Sequence, residues 1–277
     1  MRKFIKKESC VFSTVLVSLA LLATSCHSGN SNAHGESIDT VNNRPVSTAV
    51  ILPDAVTDID GNTYNAVQIG RQVWMASNLR TTRYADGTSI ALGDANGSLT
   101  TPYRYVPGND TVNVPRYGYL YNRPAVMHGA EPSMEYPSGV QGICPDGWHV
   151  PSIQEWERMI FYVQGQKEYV CGGDIENIAK ALSDSTGWET SEASACAVSS
   201  DLSKNNATGF SALPAGVAAT SQSGGYFGEE AWFWSATGSV EGGGFFYSIC
   251  GNQAGIMDSR STNYSFSVRC VRDDAAE

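Results

Sequence analysis

Hydrophobic positions divide this 277-residue chain into three regimes. In the first, Arg2, Lys3, Lys6 and Lys7 precede an apolar run over 11–22, followed by the small residues Ala23-Thr24-Ser25. The run is Ser/Thr-dotted and shorter than the roughly 20 apolar residues of a spanning helix. A basic start, a short apolar stretch and small residues before a cut site predict a secretory signal peptide over 1–25. In the second regime, 26–55, Ser, Asn, Thr and Gly dominate with no hydrophobic period, which predicts a flexible tether. The third, 56–274, alternates short apolar runs with turn residues and predicts a body of strands with two helices.

Within that body, Tyr64, Val67 and Ile69 lie in a strand-like run, and Gly70-Arg71 connects it to Gln72-Val73-Trp74-Met75. Gly at the first of two loop positions suits a type II′ hairpin. Residues 93–116 are Gly/Asn/Thr/Pro-rich and predict a long surface insertion, after which Tyr117-Gly118-Tyr119-Leu120-Tyr121-Asn122 resumes order. Ser152 followed by Glu155 forms a capping-box pattern, with Trp156, Met159, Ile160 and Val163 at helical spacing. A second helix is expected over 175–183, capped by Asp174, with Ile178, Ala179 and Leu182 inward. Further strands are expected over 209–213, 231–236, 244–249 and 264–271.

Composition narrows the function. The chain is 42% hydrophobic and 10% aromatic, too apolar for disorder, and 28 glycines argue against a helical bundle. Its net charge is −10, and because residues 1–25 carry +3, the remainder carries −13. Such a body repels nucleic acid and anionic headgroups, so no nucleic-acid partner is expected. Small residues just before Cys26 resemble a bacterial lipobox, which would make Cys26 the lipidated N-terminus of the mature protein. Several acyl chains at ~0.8 kcal/mol per buried CH₂ would hold it durably, so contact with the membrane is expected through this anchor only. An outer-membrane lipoprotein follows, and no acidic run after Cys26 selects its periplasmic or surface face.

Reactive constellations are sparse. Asp58-Ile59-Asp60-Gly61-Asn62 looks like the start of a calcium loop, but the Gly falls too early and no Glu closes it. Only His128 and His149 lie in the body, too few for a histidine-rich zinc site. No phosphate loop and no Gly-x-Ser-x-Gly elbow occur. Neither a metal, a cofactor nor catalytic residues are therefore expected.

Several strings together resemble the Fibrobacter succinogenes major paralogous domain family of cell-envelope proteins. They include Asp60-Gly61-Asn62-Thr63-Tyr64, Val73-Trp74-Met75-Ala76-Ser77-Asn78-Leu79 and Cys144-Pro145-Asp146-Gly147-Trp148-His149-Val150-Pro151-Ser152. Later come Gly209-Phe210-Ser211-Ala212-Leu213-Pro214-Ala215-Gly216, Phe233-Trp234-Ser235-Ala236-Thr237 and Ser265-Phe266-Ser267-Val268-Arg269-Cys270-Val271-Arg272-Asp273. The resemblance implies an α+β, C-type-lectin-like fold that is also similar to formylglycine-generating enzymes. Two helices would pack on short, irregular antiparallel sheets with long loops. It implies no particular activity.

With Cys10 in the leader and Cys26 at the lipid site, five cysteines remain, and export favours disulfides. The family motifs imply Cys144–Cys270. Cys171 and Cys196 flank the second helix and form the second expected pair, leaving Cys250 as a buried or spare thiol. Formylglycine-generating enzymes bind copper through two cysteines, and 251–269 contains no partner for Cys250.

The remaining candidate is aromatic: Tyr226, Phe227 and Trp232 beside Glu229, with Asn252, Asp258 and Asn263 nearby, could form a sugar site. Trp234, on the same strand face as Trp232, is expected to be buried. The expected function is a lipid-anchored, non-catalytic binding or adhesion module whose partner is a glycan or an envelope or surface protein. A structural, fimbria-associated subunit is the alternative, and a formylglycine-generating-type oxidase ranks behind both.

Overall fold

The computed structural model describes residues 49–93, 98–219, 225–239, 243–261 and 263–273. The leader, Cys26 and most of the expected tether lie outside them. Strands β1 (Val50–Thr57), β2 (Thr63–Ile69), β3 (Gln72–Met75), β4 (Ala91–Leu92) and β5 (Tyr103–Tyr105) come first. Helix α1 (Val114–Tyr117), strand β6 (Leu120–Asn122) and helices α2 (Arg123–Met127), α3 (Ile153–Gln164) and α4 (Ala179–Leu182) follow. The chain then forms β7 (Ala218–Ala219), β8 (Glu230–Gly238), β9 (Gly244–Cys250), β10 (Ile256–Ser261), β11 (Tyr264–Phe266) and β12 (Val271–Asp273).

These strands make three sheets, in the orders β1-β2-β3-β12, β10-β9-β8 and β4-β5-β6-β11-β7. All the pairings are antiparallel except β4 with β5, so the fold is mixed α+β with mostly antiparallel sheet. The hairpin at Gly70-Arg71 forms with Ile69 opposite Gln72, and the positive φ (+62°) falls on Gly70 as a II′ turn requires. The body begins earlier than the sequence suggests. β1 starts at Val50, inside the expected tether, because the apolar run 49–52 pairs with β2.

Helix α3 follows the sequence closely. Ser152 Oγ accepts from Glu155 N (3.3 Å) and the Glu155 carboxylate accepts from Ser152 N (2.7 Å), closing the capping box. The same fully buried carboxylate also accepts from Ser138 N (3.2 Å) and meets His149 Nε2 at 2.5 Å. His149 exchanges backbone hydrogen bonds with Val271, so the start of the helix is tied to the last strand. Trp156, Met159 and Val163 form the buried stripe, with Ile160 half-buried. Trp156 packs against Trp74 (4.7 Å), Phe233 (5.7 Å) and Tyr247 (5.1 Å) in the core between α3 and the sheets.

Other elements differ from expectation, each for a local reason. The second helix is only α4, four residues long. Asp174 Oδ1 accepts from Glu176 N (3.1 Å) in a tight turn, and Cys171 N bonds Asn177 O, so 171–177 doubles back under the Cys171–Cys196 disulfide. Residues 209–213 are not a strand, because Gly209 (φ +73°) and Ser211 (φ +56°) leave the extended region. The expected strand over 264–271 splits into β11 and β12, and the buried 267–270 crosses from one sheet to another. Within the expected surface insertion, β5 pairs with β6, and Tyr105 packs with Tyr117, Leu120 and Leu213 in a small core of its own.

Both expected disulfides form. Cys144–Cys270 has a Cα–Cα distance of 5.9 Å and Cys171–Cys196 one of 5.5 Å. Cys250 is buried on β9.

Candidate functional site

The aromatic residues singled out from the sequence do not converge. Trp232 is half-buried, stacked on Phe246 (4.7 Å) and packed on Phe266 (5.1 Å), and its Nε1 donates to Glu230 Oε2 (2.7 Å). Phe227 is half-buried against Tyr117 (4.8 Å). Tyr226 and Glu229 are exposed and adjacent, with Tyr226 O accepting from Glu229 N and Glu230 N. Asp258 pairs with Tyr247, which pairs with Phe233, so all three share the sheet face opposite Trp232. Asn252 and Asn263 are exposed beyond opposite ends of the six-residue β10 ladder, which is roughly 17 Å long at ~3.4 Å per residue. Trp234 is fully buried, as expected, although Trp232 on the same face is only half-buried.

Glu230 beside Trp232 is a buried carboxyl held above the ordinary carboxylate range, chiefly by burial and secondarily by Glu229, against the opposing Trp232 hydrogen bond. A raised folded-state pKa means that its contribution is full below the unfolded value of about 4.3 and is lost as pH rises through the folded value. Glu230→Gln is therefore expected to match the parent at pH 4 and to melt higher than the parent at pH 8. Thermal denaturation across pH 4–8 checks this; a variant that melts lower at pH 8 contradicts it.

A different site is built where three segments meet. A cleft of about 290 Å³ lies between β1 and β2 (Ile51, Thr63, Asn65), the residues after β3 (Ala76, Ser77) and the loop over 206–211 (Asn206, Gly209, Ser211). One wall is closed upon itself. Asn206 Nδ2 donates to Ser211 Oγ (2.8 Å), Asn206 Oδ1 accepts from Ser211 N (2.9 Å), and Ser211 Oγ donates to Gly209 O (3.3 Å). Asn206, Gly209 and Ser211 all have positive φ, so this wall has an unusual backbone that the surroundings must hold in place. A Cβ at Gly209 would lie 2.7 Å from Ile51 Cδ1, so Ile51 would have to shift to admit a side chain there. The opposite wall is open. Asn65 Oδ1 accepts from Asp54 N (3.0 Å), which fixes the amide and leaves Nδ2 with no protein acceptor among the described residues.

Arg269 supports both walls from beneath. Its side chain is fully buried; Nε donates to Asn78 Oδ1 (2.6 Å), Nη1 to Met75 O (2.9 Å) and to Phe210 O, and Nη2 to Ser211 O (2.7 Å). The guanidinium lies over Phe210 (4.6 Å) and Phe233 (5.6 Å). Burial pulls its pKa down to about 9, so it remains cationic at neutral pH. A second buried cation, Lys180, donates to Asp201 O (2.9 Å), Asn205 Oδ1 (3.3 Å) and Val198 O (3.5 Å), holding the approach to the same loop. No ionisable side chain lines the cleft, so it offers shape, amide donors, hydroxyls and methyl groups.

The family model of the Fibrobacter succinogenes major domain matches residues 67–272. The chain belongs to that family. No curated protein and no solved structure matches it. Four of the strings that resemble the Fibrobacter succinogenes major domain converge on the cleft. The first gives Thr63, the second Ala76 and Ser77, the third Gly209 and Ser211, and the last Arg269 beneath them. Sequence reasoning missed the site because isolated neutral residues such as Asn65 and Asn206 have no diagnostic spacing. The convergence of those strings was the signal available.

Proposed function

We propose that this chain is a lipid-anchored protein of the cell envelope, on the outer membrane, whose C-type-lectin-like body binds glycan and catalyses no reaction. The leader and Cys26 support the anchor, and no helix among the described residues is long and apolar enough to cross a membrane. One observation carries the ligand class: a cleft lined by amides, hydroxyls and methyl groups, with no carboxylate or histidine among its lining residues. Neutral polar ligands with hydroxyl and amide edges match such a lining, whereas acid–base chemistry needs a titratable group within hydrogen-bond reach. A volume of about 290 Å³ sits at the low end of ligand pockets and suits one sugar ring at a chain end.

Binding of the detergent-solubilised mature chain to a panel of immobilised glycans tests this. Specific binding that falls at least ten-fold in Asn65→Ala, with the melting temperature within about 2 °C, is expected. Silence across the panel from a folded protein would contradict it. The alternative, a structural subunit with a protein partner, is favoured by the exposed Val50 and Ile51 on edge strand β1. It predicts envelope-protein capture that a Val50→Lys substitution abolishes.

A further inference from the structure

We infer that the cleft selects sugars carrying an acetamido group over sugars that carry only hydroxyls. This rests on the glycan reading above and adds the chemical class of the ligand. The argument begins with which valences the cleft leaves open. The 206–211 wall ties the Asn206 amide and the Ser211 hydroxyl into internal hydrogen bonds, so it presents mainly shape, with one Asn206 N–H left over. The facing wall presents Asn65 Nδ2, a donor whose direction is fixed because Asp54 N holds the other end of the amide. Beside it stand the Ser77 hydroxyl and two apolar groups, the Ala76 methyl and the half-exposed Ile51 side chain.

A sugar hydroxyl both donates and accepts, and a site for hydroxyls alone benefits from a strong acceptor such as a carboxylate. None lines this cleft. A fixed N–H donor next to methyl groups is instead complementary to an acetamido substituent, whose carbonyl accepts one hydrogen bond and whose methyl is apolar. Asn65 Nδ2 donates to the acetyl oxygen, Ile51 and Ala76 cover the acetyl methyl, and Ser77 bonds the neighbouring ring hydroxyl. The absence of a side chain at Gly209 lets the Ile51 side chain reach the 206–211 wall, since a Cβ there would lie 2.7 Å from Ile51 Cδ1. A hydroxyl-only ring would set polar groups against Ile51 and Ala76 and forgo their apolar burial, at ~25 cal/mol per Å².

The test is calorimetric titration of the detergent-solubilised mature chain with chitotriose and with cellotriose, which differ in the acetamido groups. Chitotriose is expected to bind at least ten-fold more tightly. Asn65→Asp keeps the acceptor for Asp54 N but removes the donor, and is expected to erase that preference while leaving the melting temperature unchanged. Ala76→Ser, which turns the methyl into a hydroxymethyl, is expected to weaken chitotriose several-fold and cellotriose little. Equal binding of the two trisaccharides would overturn the acetamido inference and leave the glycan reading standing. No binding of either, together with silence across the glycan panel, would overturn both.

Discussion

Arg269→Met is expected to lower unfolding stability by about 3–5 kcal/mol, the usual cost of breaking a buried charged network from one side. Two effects oppose each other. Removing the cation relieves its desolvation, several kcal/mol in a fully buried site. It also orphans Asn78 Oδ1 and the carbonyls of Met75, Phe210 and Ser211, each at about 1–3 kcal/mol when buried. Four orphaned acceptors outweigh one relieved charge. Arg269→Lys is expected to recover little, because a single ammonium cannot reach acceptors arranged around a planar fork. Arg272 is the control: it is half-buried over Trp148 at 5.2 Å, and its replacement by Met is expected to cost under about 1 kcal/mol. Urea denaturation of the three variants checks the order. A loss for Arg269→Met no larger than for Arg272→Met would contradict the role assigned to Arg269.

The second large effect comes from the disulfides, and their ranking follows from loop length. Cys144–Cys270 spans 126 residues of sequence and Cys171–Cys196 spans 25. Chain-entropy arithmetic gives about 5 kcal/mol for the first and about 3.5 kcal/mol for the second. Replacing both members of a pair by Ala is expected to cost more at 144 and 270 than at 171 and 196. The first pair also fixes the segment that carries His149 to the last strand, beside Val271. Equilibrium unfolding of the two double variants checks the ranking; a larger loss from the 171 and 196 pair would reverse it.

The sequence exposes elements whose signals are local. The capping box at Ser152 and Glu155, the buried stripe of α3 and the Gly70-Arg71 hairpin are each written in a few adjacent residues, and each forms. The strand around Trp234 forms where its apolar run is expected, and Trp234 is buried within it. What stayed hidden depends on long-range partners. Residues 264–271 look like one strand, yet the chain changes sheets after Phe266, which periodicity cannot show. The run 175–183 has helical spacing, but a disulfide and an Asp174 turn hold its first half elsewhere.

The site illustrates the same limit. Tyr226, Phe227 and Trp232 are close in sequence, yet Trp232 turns its ring onto Phe246 and its indole N–H onto Glu230, and Asp258 falls on the other sheet face. Asn65, Ser77 and Ser211 are distant in sequence and unremarkable one by one. Pairing of β2 with β3 brings Asn65 beside the residues after β3, and Arg269 ties that segment to Ser211 by binding Met75 O and Ser211 O at once.

Hydrogen exchange of the detergent-solubilised mature chain, with and without saturating chitotriose, tests the central claim most directly, because it locates binding as well as detecting it. Slowed exchange is expected at Thr63–Ile69, at the amides of Ala76 and Ser77 and over 206–211. Protection centred on 226–232, or none anywhere while saccharide is bound, would contradict the assignment of the cleft.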